Sequence, residues 1–65
     1  MNKSDFKVGD HVKIASEHPD ATLKNRTGFI TSMPNKARGE YLVKIEVGPL
    51  AGRIVPVNGY YIKID

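Results

Sequence analysis

The chain predicts an all-β fold, a small five-stranded antiparallel barrel. Three observations predict it. Short runs of alternating apolar and polar residues recur along the chain, turn residues separate them at regular spacing, and no stretch keeps a helical apolar period for a useful length. Closing the strands into a barrel also spares so short a chain a long exposed sheet edge. With 65 residues the chain is one domain near the lower limit of independent folding. Such a domain buries only about 60% of the surface its unfolded chain exposes, and a stability of roughly 3–5 kcal/mol follows.

Residues 1–7 form a flexible leader with Phe6 as its only anchor, and the barrel occupies 8–65. Val8-Gly9-Asp10 is a turn, after which His11 to Ser16 alternates, with Val12 and Ile14 on the buried face. His18-Pro19-Asp20 breaks the pattern, because proline lacks a donor and forces its predecessor into an extended conformation. Asp20 to Lys24 has room for one helical turn. Asn25 suits a left-handed turn, and Gly28 removes the side chain where the strand bends or another backbone passes close by.

Thr27 to Met33 is the second strand, with Gly28, Ile30 and Ser32 on one face and Phe29, Thr31 and Met33 on the other. Pro34 to Gly39 is expected as a hairpin connection, since proline cannot continue a central strand. Glu40 to Val47 is the longest strand, turning Tyr41, Val43, Ile45 and Val47 inward. After Gly48 to Gly52 comes a fourth strand, Arg53 to Val57, whose Pro56 marks an edge or a bulge. Asn58-Gly59 is the strongest short hairpin signal, and Tyr60 to Ile64 closes the chain with Tyr60, Ile62 and Ile64 on one face. The expected core is Val12, Ile14, Ile30, Val43, Ile45, Val55 or Ile54, and Ile62.

The composition narrows the function. There is no cysteine, hence no disulfide framework and no thiolate metal site. Met1 to Phe6 has no apolar run of a signal peptide, and no segment approaches the ~20 apolar residues that span a bilayer. A cytoplasmic protein without membrane partners is expected. The net charge is +3, and the excess is local: residues 21–40 carry Lys24, Arg26, Lys36 and Arg38 against Glu40 alone. These cations flank the second strand, two before it and two after.

Val8-Gly9-Asp10-His11-Val12-Lys13-Ile14, followed after the loop by Lys24-Asn25-Arg26-Thr27-Gly28-Phe29-Ile30, resembles a KOW-type SH3-like barrel. That pattern opens with Gly-Asp-x-Val-x-Val/Ile and has a basic, glycine-containing turn leading into Gly-x-Val. Gly28-Phe29-Ile30 stands at the last step, and Asn25 where the family often has its first glycine. The resemblance spans about residues 8–32. It implies a binding module, because KOW domains contact RNA or protein partners through their loops. Gly9-Asp10, Gly39-Glu40-Tyr41 and Arg53-Ile54-Val55-Pro56-Val57 also look like the plasmid-encoded type II dihydrofolate reductases. Where those enzymes have Val-Gln-Ile-Tyr-Pro, this chain has Gly52-Arg53-Ile54-Val55-Pro56, so the hydrogen-bonding glutamine and tyrosine are replaced by Arg53 and Val55.

The expected function is therefore non-enzymatic binding of RNA or DNA. Lys24, Arg26, Lys36 and Arg38 are the candidate phosphate contacts, with Phe29 and Tyr61 as candidate stacking rings. The alternative is a protein-interaction module docking on a larger assembly through an apolar and aromatic patch. His11 and His18 lie seven residues apart on a strand and in a loop, without the three or four convergent ligands of a metal site. No nucleophile–base set and no phosphate-binding glycine loop is present, so neither catalysis nor a cofactor is expected.

Overall fold

A computed structural model describes residues 6–65, apart from the side chains of residues 35 and 36. Five strands follow in order: β1 (His11–Ile14), β2 (Thr27–Asn35), β3 (Glu40–Ile45), β4 (Ile54–Asn58) and β5 (Ile62–Ile64). They form one antiparallel sheet in the order β4-β3-β2-β1-β5. Two 3-10 turns, Lys36–Arg38 and Gly59–Tyr61, are the other regular elements. β4 and β5 are the two edges, and the second 3-10 turn carries the chain from one to the other. This order is compatible with a small barrel. No helix among the described residues is long and apolar enough to cross a membrane.

Alternation places the core. Val12 and Ile14 of β1, and Tyr41, Val43 and Ile45 of β3, point to one side and are fully buried, and Ile30, Val57 and Ile62 are buried with them. Phe6 and Leu23 complete this cluster from outside the strands. Phe6 meets the Tyr41 ring edge-on, centroids 5.4 Å apart. The expected core lacked Phe6, Leu23, Val57 and Tyr41, the last of which was nonetheless expected to face inward. Of its alternatives, Val55 is half-buried against the core, whereas Ile54 is 55% exposed.

Several expected boundaries move. β1 ends at Ile14 rather than Ser16, β3 ends at Ile45, which leaves Val47 exposed, and β4 begins at Ile54. β2 does not stop at Met33 but runs through Pro34 to Asn35. Proline is tolerated because the β2–β3 register shifts between Ile30 and Ser32 and again between Ser32 and Asn35. Residues at such bulges owe no donor to the ladder. The same shifts break the alternation, so Met33 packs against the core although Phe29, two steps back on the same expected face, is exposed.

Asn58-Gly59 does not form a hairpin, because β5 pairs with β1 and not with β4. Asn58 instead caps the 3-10 turn, its side-chain oxygen accepting the Tyr60 N–H at 2.8 Å. Tyr60 consequently leaves the inward face and is 75% exposed; Ile64, at the chain's end, is exposed as well. Pro56 does lie on an edge strand, opposite Leu42.

Candidate nucleic-acid interface

The β1–β2 connection is built from the turn residues that the sequence supplies. Asp20 accepts the Thr22 N–H at 2.9 Å and the Thr22 hydroxyl at 2.7 Å on one carboxylate oxygen. Those two bonds, the side-chain one first, lower the Asp20 pKa from its ordinary value. The Leu23 and Lys24 N–H groups then donate to the Asp20 carbonyl, which makes the single turn expected there. Asn25 has φ 64°, the one non-glycine residue with positive φ among those described. Its N–H donates to the Ile14 carbonyl, and the Ile14 N–H to the Arg26 carbonyl, both at 2.8 Å. The loop is thus fastened to the end of β1.

Lys24 projects from this loop exposed, while Arg26 is half-buried. The Arg26 Nε–H reaches the Thr22 carbonyl at 3.4 Å, and its guanidinium lies over the backbone of Gly48 in the β3–β4 connection. A Cβ on Gly48 would come within 2.8 Å of Arg26 Nε. Arg26 is therefore partly occupied in joining two loops, and Lys24 is the freer cation. Arg53 leaves the same β3–β4 connection, exposed, with its N–H on the Leu50 carbonyl.

Arg38 sits beyond the other end of β2, exposed in the 3-10 turn and beside Glu40, Pro56 and Asn58 at an open pocket. The Lys36 side chain lies outside the described residues. β2 is nine residues long, or roughly 26 Å end to end at ~3.3 Å per residue. The longest dimension of the Cα trace is 29 Å. The Lys24/Arg26 loop and Arg38 are thus separated by much more than the ~8 Å Debye length and form two sites, not one.

Phe29 and Tyr61 both lie toward the Lys24/Arg26 end: Phe29 is the third residue of β2, and the Tyr61 carbonyl accepts the Ala15 N–H at 2.7 Å just past the end of β1. Phe29 stands on the outer sheet face, 44% exposed, directly opposite Lys44 on β3 and His11 on β1. The His11 ring leans on it at 4.7 Å between centroids. Tyr61 is half-buried and packs against the core, meeting His18 at 4.8 Å and Tyr60 at 5.1 Å, both edge-on. An open pocket beside it is lined by Ala15, Glu17, Tyr60, Tyr61 and Lys63. Among the described residues, no group of three or more His, Asp or Glu is arranged to hold a metal ion.

Sequence reasoning missed Lys44, directly across from Phe29, Lys13, diagonal to it, and Lys63, which pairs with Lys13 one strand further. Their alternation showed that they face outward, but their neighbourhood is a matter of cross-strand register. No family model matches the chain, and no curated protein matches it.

Proposed function

We propose that the chain is a non-enzymatic binding module of SH3-like barrel type that contacts RNA or DNA, with the Lys24/Arg26 loop as its main phosphate contact. The observation that carries this reading is the state of the cations. Among the described residues the carboxylates close to a basic side chain, Glu46 and Asp65, both face His11, and Lys24, Arg26, Arg38 and Arg53 have no carboxylate partner there. Unpaired cations on a backbone-fastened loop meet phosphates at little reorganisation cost. The KOW resemblance, with Lys24-Asn25-Arg26 at the family's basic turn, points the same way.

The test is fluorescence anisotropy with labelled nucleic acid across a salt series. Lys24→Glu with Arg26→Glu should weaken binding strongly and reduce the slope of log K against log salt by about 2, roughly one for each lost phosphate contact. The same reversal at Lys36 and Arg38 should do less. Wild-type behaviour of both double variants would remove these loops as the phosphate contacts, and no salt-dependent binding at all would leave the protein-interaction reading. That alternative is favoured by the exposed Tyr60 and the pocket beside Tyr61, an aromatic-lined depression with Glu17 and Lys63 at its rim.

A further inference from the structure

The outer face of the sheet carries one row of side chains across four strands, β4 to β1, with Asp65 following just after β5. Register sets Ile54 beside Lys44, Lys44 beside Phe29, and Phe29 beside His11. The Asp65 N–H donates to the His11 carbonyl at 3.0 Å and extends the row past β5. Two residues along β1, on the same face, Lys13 stands between Thr27 and Lys63. One exposed ring therefore has Lys44 directly across, Lys13 diagonally across, and Lys63 one strand further.

Two carboxylates share the face and would ordinarily neutralise those lysines. Both lie against the His11 ring, one at each ring nitrogen, and not against a lysine. The His11 Nε2 lies 2.5 Å from Glu46 Oε1 and its Nδ1 3.3 Å from Asp65 Oδ2. Lys13, Lys44 and Lys63 have no ion-pair partner among the described residues. The His11 ring also backs one flank of Phe29, tilted by 41°. Phe29 also borders an open pocket lined by Lys44, Ile45, Glu46 and Gly52, and there is free space where a Gly52 Cβ would stand.

We infer that this face binds the unpaired bases of a single-stranded nucleic acid. A base entering from the pocket stacks on Phe29, and the adjoining phosphates take Lys13, Lys44 and Lys63. His11 is a positioning residue that backs the ring and draws Glu46 and Asp65 away from the lysines. The inference rests on the nucleic-acid reading above and adds the class of strand. A lone aromatic ring amid cations offers a π-face to a base, and only an unpaired base can present its own in return. A purely apolar partner would strand three lysines in its interface, whereas a phosphate backbone complements them.

The experiment measures anisotropy of fluorescein-labelled oligothymidylate of about twelve nucleotides, with oligouridylate and a duplex of equal length as parallel arms. Single strands should bind more tightly than the duplex; binding of only the thymidylate or only the uridylate probe assigns DNA or RNA as the source. Phe29→Ala should weaken single-strand binding roughly ten- to a hundredfold while the salt slope and duplex binding stay as in wild type. The chain has no tryptophan, so Phe29→Trp places a single indole at the site, and its emission, excited selectively over that of the tyrosines, should be quenched as oligothymidylate is added. His11→Ala should weaken single-strand binding, and adding Glu46→Gln with Asp65→Asn should restore it. Unchanged single-strand affinity in Phe29→Ala, or unchanged Trp emission while anisotropy reports binding, overturns the stacking site although salt-dependent binding persists. Failure of the carboxylate variants to restore His11→Ala overturns the positioning role. Absence of salt-dependent binding by every probe removes the nucleic-acid reading and this inference with it.

Discussion

Gly28 is where single-residue chemistry bears most directly on the fold. It pairs with Val12 on one side and Ile45 on the other, in the middle of three adjacent strands. A Cβ there would overlap the Lys44 carbonyl oxygen and come within 3.0 Å of a Val43 methyl. The obstacle is backbone, which cannot rotate away as a flexible side chain can. Gly28→Val is therefore expected to destabilise by more than about 3 kcal/mol, read from the midpoint of urea unfolding. A midpoint like that of wild type would mean that β2 and β3 are not this close. Asn25 is different in kind. Its positive φ is a local strain that asparagine tolerates better than most residues, and it turns the basic loop without demanding space.

At the scale of elements, the 3-10 turn Gly59–Tyr61 decides how the sheet is wired. It connects two strands that are opposite edges of the sheet and do not pair with each other. Gly59 is buried under the Tyr41 ring, and an added Cβ would approach Tyr41 Cε2 to 2.6 Å. Tyr41 is fully buried and held by Phe6, so it has little freedom to yield. Gly59→Ala should cost about 1–3 kcal/mol and lower the melting temperature by several degrees for each kcal/mol in a domain of this size. Removing the cap with Asn58→Ala should cost about 1 kcal/mol at most. Melting curves followed by circular dichroism rank the two variants, and the reverse order would contradict this account of the turn.

At the scale of the whole molecule, the core is small enough for one aromatic ring to decide stability. Phe6 lies outside every strand, yet it is 5% exposed and closes the core over Tyr41. Truncating a buried phenylalanine to alanine costs about 3–5 kcal/mol, against a total of roughly 3–5 kcal/mol for a domain of this length. Phe6→Ala should therefore leave much of the protein unfolded at room temperature, visible as loss of the strand signal in circular dichroism. A cooperative melt close to that of wild type would show that the ring contributes little. The charge pattern also belongs to this scale, because the two basic turns occupy opposite ends of β2 and Lys13, Lys44 and Lys63 lie on the sheet toward the Lys24/Arg26 end.

Short-range pattern was enough for the all-β class, the inward sides of β1 and β3 and a left-handed Asn25, and it narrowed Gly28 to a bend or a close backbone approach and Pro56 to an edge or a bulge. Each follows from backbone geometry or side-chain alternation within a few consecutive residues. The remaining features depend on contacts between distant parts of the chain. The bulges in β2 let the strand pass through Pro34 and turned Met33 inward, since a bulge is a property of a strand pair and not of one strand. Asn58-Gly59 became a cap because β5 found β1, a partner some fifty residues earlier in the chain. Phe6 and Leu23 entered the core from segments without periodicity. The gathering of Lys13, Lys44 and Lys63 near Phe29, and the placement of Glu46 and Asp65 against His11, depend on register across the sheet. Alternation says which side of a strand a residue faces; only non-local pairing says what stands next to it.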